Sequence, residues 1–152
     1  MQIIQSTILI NAPKSLVWDI LMDIDQYSKW NPFTPTVETN FEIGSKIILH
    51  VNMTPGKKLL KQTEQILWIK EQESVAWGIE AMFPVRTERA QILTEKSATQ
   101  TEYHTYDKFW GFLVPLVMLM YRAKVQAGFD SVALGLKTYA EQEFQRRQNE
   151  KV

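Results

Sequence analysis

The chain has 152 residues, the size of one domain with a single hydrophobic core. Its 17 basic and 17 acidic side chains leave a formal net charge of zero, which offers no overall attraction for nucleic acid or another polyanion. The absence of cysteine excludes disulfides, thiolate catalysis and cysteine-based metal sites. Residues Gln2 to Gln5 are typical of a strand rather than of a basic and apolar leader, so we expect a cytoplasmic protein.

The first elements are a strand and two short helices. Residues 3 to 10 alternate between apolar and polar, which is the period of a half-buried strand. Pro13 can occupy the first position of a helix, where its missing N–H is harmless. The apolar stripe of that helix recurs at helical spacing: Leu16, Val17, Ile20, Leu21 and Ile24. Asp25 can cap a second short helix that ends near Trp30, because prolines follow it.

The middle of the chain is predicted to be an antiparallel sheet. From Thr36 to Phe109, apolar runs are separated by turn residues, and no run is long and periodic enough for a helix. We place strands near residues 37–41, 46–53, 60–70, 74–80, 86–95 and 100–109. One of the predicted breaks between them is Phe83-Pro84.

The C-terminal part is predicted to be one long helix, over roughly residues 116–146, because its apolar residues recur at helical spacing: Val125, Phe129, Val132, Leu136, Tyr139, Ala140 and Phe144. Gly128 and Gly135 lie on or beside its apolar face, where each costs about 1 kcal/mol relative to alanine, so we expect a packing or cavity reason for both. The residues 147–152 are polar and are expected to fray beyond a single domain of residues 1–146.

The apolar segment 109–121 is too short to span a membrane. We interpret it as a strand end that leads into a buried helix. The alternative is a surface that touches a membrane or a partner protein.

Catalytic and metal motifs are absent from the sequence. His50 and His104 are the only histidines, and neither has a second ligand at metal-binding spacing on its own element. There is no glycine-rich phosphate loop, GxSxG elbow or HExxH motif. We therefore predict no catalytic residue, no metal site and no cofactor.

Two groups of residues carry a resemblance to a known superfamily. The first is Val17-Trp18-Asp19-Ile20-Leu21-Met22-Asp23, with Tyr27 and Trp30-Asn31-Pro32. The second is Asp107-Lys108-Phe109-Trp110-Gly111, with Pro115-Leu116, Gly128-Phe129 and Leu136-Lys137-Thr138-Tyr139-Ala140-Glu141. In this order they resemble the START-like superfamily (SRPBCC; polyketide cyclase/dehydrase), which includes pollen-allergen proteins and lipid-transfer domains.

The resemblance implies an α+β helix-grip fold. A curved antiparallel sheet of six or seven strands would wrap around the long C-terminal helix, with two short helices after the first strand. In such proteins the sheet and helix enclose an elongated, mostly apolar pocket. A straight helix also cannot pack closely everywhere against a curved sheet, so we expect a pocket of about 300 Å³ or more.

The last predicted hairpin contains the sharpest candidate site. One register places Arg89 opposite Asp107, and a shift by one residue places Arg89 opposite Tyr106 instead. We prefer the first, because the resemblance directs Phe109 towards the cavity and Phe109 then shares a face with Asp107. In that register we predict that Asp107 is ionised beside Arg89 and anchors a polar head group, the alternative being a surface ion pair of little consequence.

Five residues are predicted to line the ligand site: Trp77, Arg89, Tyr103, Asp107 and Phe129. Trp68 and Trp77 flank a turn, and we expect them to lie directly opposite each other. Trp18 and Trp30 are interpreted as packing residues of the two short helices.

The leading functional hypothesis is binding, sequestration or transport of a hydrophobic small molecule, such as a lipid, isoprenoid or aromatic compound. One alternative is a cyclase, dehydratase or isomerase in which Asp107 with Arg89, or Tyr103, acts as general acid–base. A second alternative is a protein-interaction module, similar to the co-chaperone relatives of the superfamily, which would use the segment 109–121. The predicted partner is thus a hydrophobic small molecule, and neither nucleic acid nor a transmembrane segment is expected.

Overall fold

The computed structural model describes residues 1–80 and 84–152. In chain order the described elements are β1 (Gln2–Ile10), α1 (Lys14–Met22), a 3₁₀ helix (Ile24–Lys29), β2 (Thr36–Glu38), β3 (Lys46–Val51), β4 (Leu60–Lys70), β5 (Ser74–Ile79), β6 (Arg86–Ser97), β7 (Gln100–Trp110) and α2 (Val114–Glu150). Phe83 of the predicted Phe83-Pro84 break lies outside the described residues.

The strands form one antiparallel sheet in the order β1-β7-β6-β5-β4-β3-β2. β1 and β7 pair along their full length, from Gln2 opposite Phe109 to Ile10 opposite Thr101. α1 and the 3₁₀ helix carry the chain from β1 at one edge of the sheet to β2 at the other. α2 packs across the curved sheet, mainly on β1, and also contacts α1 and β7. The predicted helix-grip fold is confirmed.

Alternating burial along the strands builds the core between the sheet and α2. In β3, for example, Ile47, Leu49 and Val51 are buried while the residues between them reach solvent. α2 contributes a buried stripe: Val125, Phe129, Val132, Leu136 and Ala140. This stripe has the spacing from which the long helix was predicted.

The register of the β6–β7 hairpin is the preferred one. Arg89 lies directly opposite Asp107, and Leu93 lies opposite Tyr103. Because alternate residues of a strand share a face, Arg89 and Asp107 both point to the side of the sheet that α2 covers.

The predicted opposition of Trp68 and Trp77 is wrong. Trp77 pairs with Ile66, whereas Trp68 pairs with Ala76, because β4 contains a bulge between Ile66 and Trp68. A one-residue shift moves a side chain to the other face of the sheet. Trp68 therefore lies on the same face as Ala76, which is the outer face, whereas Trp77 lies on the inner face that α2 covers. Trp68 Nε1 donates to Ser74 Oγ at 3.4 Å on that outer face.

α2 extends beyond both predicted ends. Residues 147–150, which we expected to fray, are helical, and Arg147 Nε lies 3.1 Å from Glu143 Oε1, one turn earlier. The two glycines of α2 allow close approach of the 30–33 segment. A Cβ at Gly135 would overlap the carbonyl oxygen of Trp30, and one at Gly128 would overlap the ring of Phe33.

The segment 109–121 differs from the predicted buried helix. It ends β7 and begins α2, where Val114 and Met118 are buried. Leu116, Leu119 and Met120, in contrast, are 57%, 85% and 61% exposed. Within residues 1–80 and 84–152, no helix is long and apolar enough to cross a membrane.

Candidate functional site

A small closed cavity lies between the sheet and α2. Its volume is about 10 Å³, which is room for about one water molecule. The lining residues come from both short helices, from four strands or their adjoining loops, and from α2: Leu21, Tyr27, Trp30, Asn31, Thr34, Val37, Leu49, Trp77, Arg89, Gln91 and Val132. The predicted internal pocket of about 300 Å³ is therefore wrong, because large side chains fill most of that space.

The most unusual lining residue is Arg89, whose side chain is surrounded by aromatic rings. It is only 6% exposed. Its Cζ lies 4.3 Å from the ring centre of Phe129, 5.9 Å from that of Trp77 and 6.0 Å from that of Phe33. These rings attract the cation through their electron-rich faces, but they accept no strong hydrogen bond.

Arg89 lacks the acidic partner that we predicted for it. No ion pair within 4.0 Å joins it to Asp107 or to another acid among the residues that the structure describes. Its Nε and the Oδ1 of Asp107 are both shut off from solvent without a hydrogen-bond partner. The residues share a register position and a face, yet their charged groups do not meet.

The surroundings of Asp107 also disfavour the ionised form that we predicted for it. Burial, together with the nearby carboxyl of Glu64, raises the pKa of Asp107 well above its usual value, and Arg89 lowers it by less. Part of the residue reaches solvent, but Oδ1 does not. The enclosed oxygen decides the direction of the shift, because the pKa depends on the solvation of the carboxyl group itself.

Glu64 is a second carboxyl group of this site, and sequence analysis missed it. Burial raises its pKa to about 7, and its Oε2 has no hydrogen-bond partner. Glu64 lies two residues before the buried Ile66 in β4, so the alternation of the strand could have placed it on the inner face. Because burial disfavours the ionised form of both carboxyls, the charge of Arg89 is poorly compensated.

Unpartnered hydrogen-bond donors face this cavity. Four lining residues carry a buried polar atom without a partner: Trp30 Nε1, Thr34 Oγ1, Trp77 Nε1 and Arg89 Nε. Three of these are nitrogens that can only donate. Trp30, interpreted above as a packing residue, is thus also part of the cavity wall. The site has a surplus of donors and one buried positive charge.

The remaining predicted residues support the wall without reaching the cavity. Tyr103 donates to Gln91 Oε1, and burial raises the pKa of Tyr103 to about 12, so it stays protonated. Phe129 packs against both Arg89 and Phe33, its ring centre 6.3 Å from that of Phe33. Trp77 and Arg89 line the cavity, whereas Asp107 lies one strand further on.

An open groove lies on the other side of Phe33. Its volume is about 340 Å³, and its walls are mostly apolar. The 30–33 segment, the β3–β4 loop and α2 contribute its lining residues: Pro32, Phe33, Asn52, Met53, Thr54, Pro55, Lys124, Ala127, Gly128 and Ser131. Phe33 contributes to the wall of this groove, and its ring centre also lies 6.0 Å from the Arg89 Cζ, so the ring links the groove wall to the buried guanidinium.

Fold and site together define a helix-grip protein with a buried polar centre beneath an apolar groove. The chain matches the family model described as polyketide cyclase / dehydrase and lipid transport over residues 1–141. It belongs to this family. No curated protein matches the sequence significantly.

Solved structures show the same fold. The Zhui aromatase/cyclase from a Streptomyces species superposes with a TM-score of 0.74 at 19% identity, over 92% of this chain and 93% of that one. A START superfamily protein from Mycobacterium smegmatis superposes with a TM-score of 0.70 at 14% identity, over 92% of this chain and 97% of that one. A protein from Nitrosomonas europaea superposes with a TM-score of 0.74 at 14% identity, over 93% of this chain and 95% of that one.

Proposed function

We propose that this protein binds and sequesters or carries a hydrophobic small molecule whose polar end is rich in hydrogen-bond acceptors and negatively charged. One observation carries the proposal. Arg89 is buried among aromatic rings with an unpartnered Nε, and no acid lies within ion-pair distance in the described part of the chain. A buried charge without a partner is costly, and a carboxylate or similar group on a ligand would satisfy it.

The other unpartnered groups favour the same ligand chemistry. Trp30 Nε1 and Trp77 Nε1 can only donate, so a ligand oxygen would satisfy them, whereas a ligand donor would not. The two nearby carboxyls, of Asp107 and Glu64, have raised pKa values and repel an anion little while protonated. The family description, which includes lipid transport, fits an amphipathic ligand.

The apolar part of the ligand fits the open groove. The groove of about 340 Å³ is in the size range of small-molecule sites, whereas the closed cavity is not. Movement of the Phe33 ring would open a path from the groove towards Arg89, since this ring lines the groove and its centre is 6.0 Å from the Arg89 Cζ. The ligand's polar end would then reach Arg89 while its chain or rings remain in the groove.

The first experiment identifies a natural ligand. Native mass spectrometry of the purified protein, before and after extraction with organic solvent, is expected to show an added mass that extraction removes. The extracted compound is expected to carry an acidic group.

The second experiment tests Arg89 with a defined probe. The fluorescent fatty acid cis-parinaric acid is expected to bind at least about ten-fold tighter than its methyl ester, because hydrogen bonds to a charged group are worth about 1.5–3 kcal/mol. Arg89→Met should remove this difference. Arg86→Met is the matched control, because Arg86 is an exposed arginine of the same strand.

Either of two results would contradict the proposal. The wild-type protein could bind acid and ester equally, or Arg89→Met could keep the preference for the acid. Loss of the preference in Arg86→Met as well would show that general surface charge, and not the buried guanidinium, attracts the acid.

A cyclase or dehydratase is the second candidate, and the unpartnered carboxyl of Asp107 favours it. Burial raises the pKa of Asp107 and so favours its protonated form, and Glu64, with a pKa of about 7, can accept or donate a proton near neutral pH. An enzyme of this kind would release a changed product. Incubation with the extracted ligand or its hydroxylated analogues, followed by mass spectrometry, distinguishes turnover from simple binding. Asp107→Asn and Glu64→Gln should abolish turnover if it occurs.

A further inference from the structure

The first turns of α2 expose a continuous apolar face. Leu116, Leu119 and Met120 are 57%, 85% and 61% exposed, and Ala123 and Ala127 are exposed as well. Their spacing places all five on one side of the helix. We call these five residues the apolar face.

This part of α2 is apolar on both sides. Its opposite side is buried in the core through Val114, Met118, Val125 and Phe129. A helix on the surface of a soluble domain normally shows charged or polar residues to solvent. Single exposed leucines are ordinary, but an uninterrupted apolar face indicates a surface that contacts something else.

Most of the charges beside the apolar face are basic, and the exposed Asp130 follows one turn after Ala127. Between residues 109 and 129 the only charged residues are Arg122 and Lys124, and they flank the face on its two sides. Lys124 Nζ donates to Thr54 Oγ1 at 3.2 Å, which holds the β3–β4 loop beside the helix. That loop adds two exposed cations, Lys57 and Lys58.

We propose that the apolar face docks on an anionic lipid membrane surface. An apolar face flanked by lysine and arginine is the pattern of helices that lie in the plane of the membrane interface, with the cations at the lipid head groups. A second copy of the chain fits less well, because a two-fold contact would bring cations of like charge together. No helix within the described ranges could cross the bilayer, so the protein would dock on the surface without spanning it.

The apolar face is continuous with the groove described above. Ala127 belongs to both, and Lys124 and Gly128 line the groove beside it. Docking would therefore place the mouth of the groove against the lipid. The docking proposal stands independently of the ligand proposed for Arg89, since it involves none of the cavity residues.

Flotation with lipid vesicles tests the proposal. The full chain is mixed with vesicles of phosphatidylcholine containing about 30% phosphatidylserine, or of phosphatidylcholine alone, at low and high salt. Binding is expected to the anionic vesicles and to weaken as salt increases. The double variant Leu119→Ser and Met120→Ser should weaken it at least ten-fold, because burial of one large apolar side chain contributes about that factor. Lys57→Gln and Lys58→Gln should each weaken it about five-fold.

Leu134→Ser is the matched control, since Leu134 is an exposed leucine of the same helix, 58% accessible, and lies about two turns beyond Ala127, past the charged Asp130. It should bind vesicles as the wild type does, and thermal unfolding should show that all variants are folded. Failure of the wild type to float with anionic vesicles would overturn the proposal. Equal loss in Leu134→Ser would overturn it too. A third contrary result would be a wild-type protein that does not bind vesicles but sediments as a dimer, with the double variant sedimenting as a monomer.

Discussion

Replacement of Arg89 by methionine is expected to make the protein more stable while it loses the proposed ligand. Methionine has a similar length and flexibility, so it can fill the same space between the rings of Phe129, Trp77 and Phe33. What disappears is one buried guanidinium, 6% exposed, with an unpartnered Nε.

The size of the effect is a difference between two opposing contributions. Removal of a charge of this size from water costs several kcal/mol. The ring of Phe129, at 4.3 Å, contributes about 2 kcal/mol of cation–π attraction that offsets part of this cost, and the more distant rings contribute less. We expect a net stabilisation of about 1–2 kcal/mol on replacement, at the low end of what buried ion pairs show when apolar residues replace them.

Urea unfolding followed by tryptophan fluorescence at pH 6 measures this effect. At pH 6 most of Glu64 keeps its proton, because its pKa is about 7, and burial raises the pKa of Asp107 as well, so the removal of Arg89 leaves little new unpaired negative charge. The midpoint should increase with an unchanged slope, and the melting temperature should rise by about 2–8 °C. Arg86→Met, at the exposed position, should lose no more than about 1 kcal/mol, the size of the cation–π contact that Arg86 makes with the Trp110 ring at 4.9 Å. A destabilisation of Arg89→Met by 1 kcal/mol or more would show that the guanidinium is well satisfied in the free protein.

Three more predictions concern the surroundings of the site. Gly135→Ala should lower the melting temperature more than Gly128→Ala does. A Cβ at position 135 meets the backbone oxygen of Trp30, whereas a Cβ at position 128 meets the ring of Phe33, which can turn away. Equal effects of the two substitutions would contradict this. Because burial raises the pKa of Glu64 from its usual 4.5 to about 7, its contribution to stability is complete below about pH 4.5 and is lost as the pH rises to about 7. Glu64→Gln should thus gain about 2–3 kcal/mol over the wild type at pH 8 and little at pH 4.5, as urea unfolding at both pH values will show; a constant difference would exclude titration of Glu64 as the cause. Phe33→Ala should raise the affinity for parinaric acid relative to the wild type, since the groove and cavity become one space, and weaker binding would show that the ring holds the ligand rather than excludes it.

The fold could be predicted from the sequence because local patterns and family motifs agree. The alternation in β1, the helical spacing from Val125 to Phe144 and the turn residues between strands each predict an element that the structure contains. The register of the β6–β7 hairpin followed from directing Phe109 inward. The bulge in β4 could not be predicted, because it inserts one residue between Ile66 and Trp68 without a glycine or proline to indicate it.

The chemistry of the site was less accessible from the sequence than its location. A register shows that Arg89 and Asp107 are neighbours, but their ionisation depends on which atoms meet and how much water remains. Glu64, from a different strand, contributes to the pKa of Asp107, and no pattern within the hairpin contains that information. The volume of the cavity likewise depends on the rotamers of residues such as Trp30 and Trp77, which a residue pattern does not specify.

The small volume of the cavity beside Arg89 has a consequence for the rate at which the proposed ligand binds. A cavity of about 10 Å³ admits no organic molecule, so a more open form of the protein must appear before or during entry of the ligand's polar end. If opening precedes entry, the observed association rate should level off at high ligand concentration, at a value that belongs to the protein and is the same for different ligands. The apparent dissociation constant would then equal the dissociation constant of the open form divided by the fraction of protein that is open. Weak binding in equilibrium assays would thus reflect a rarely open protein. Stopped-flow measurements with two ligands of different size would separate the opening of the protein from the affinity of its open form.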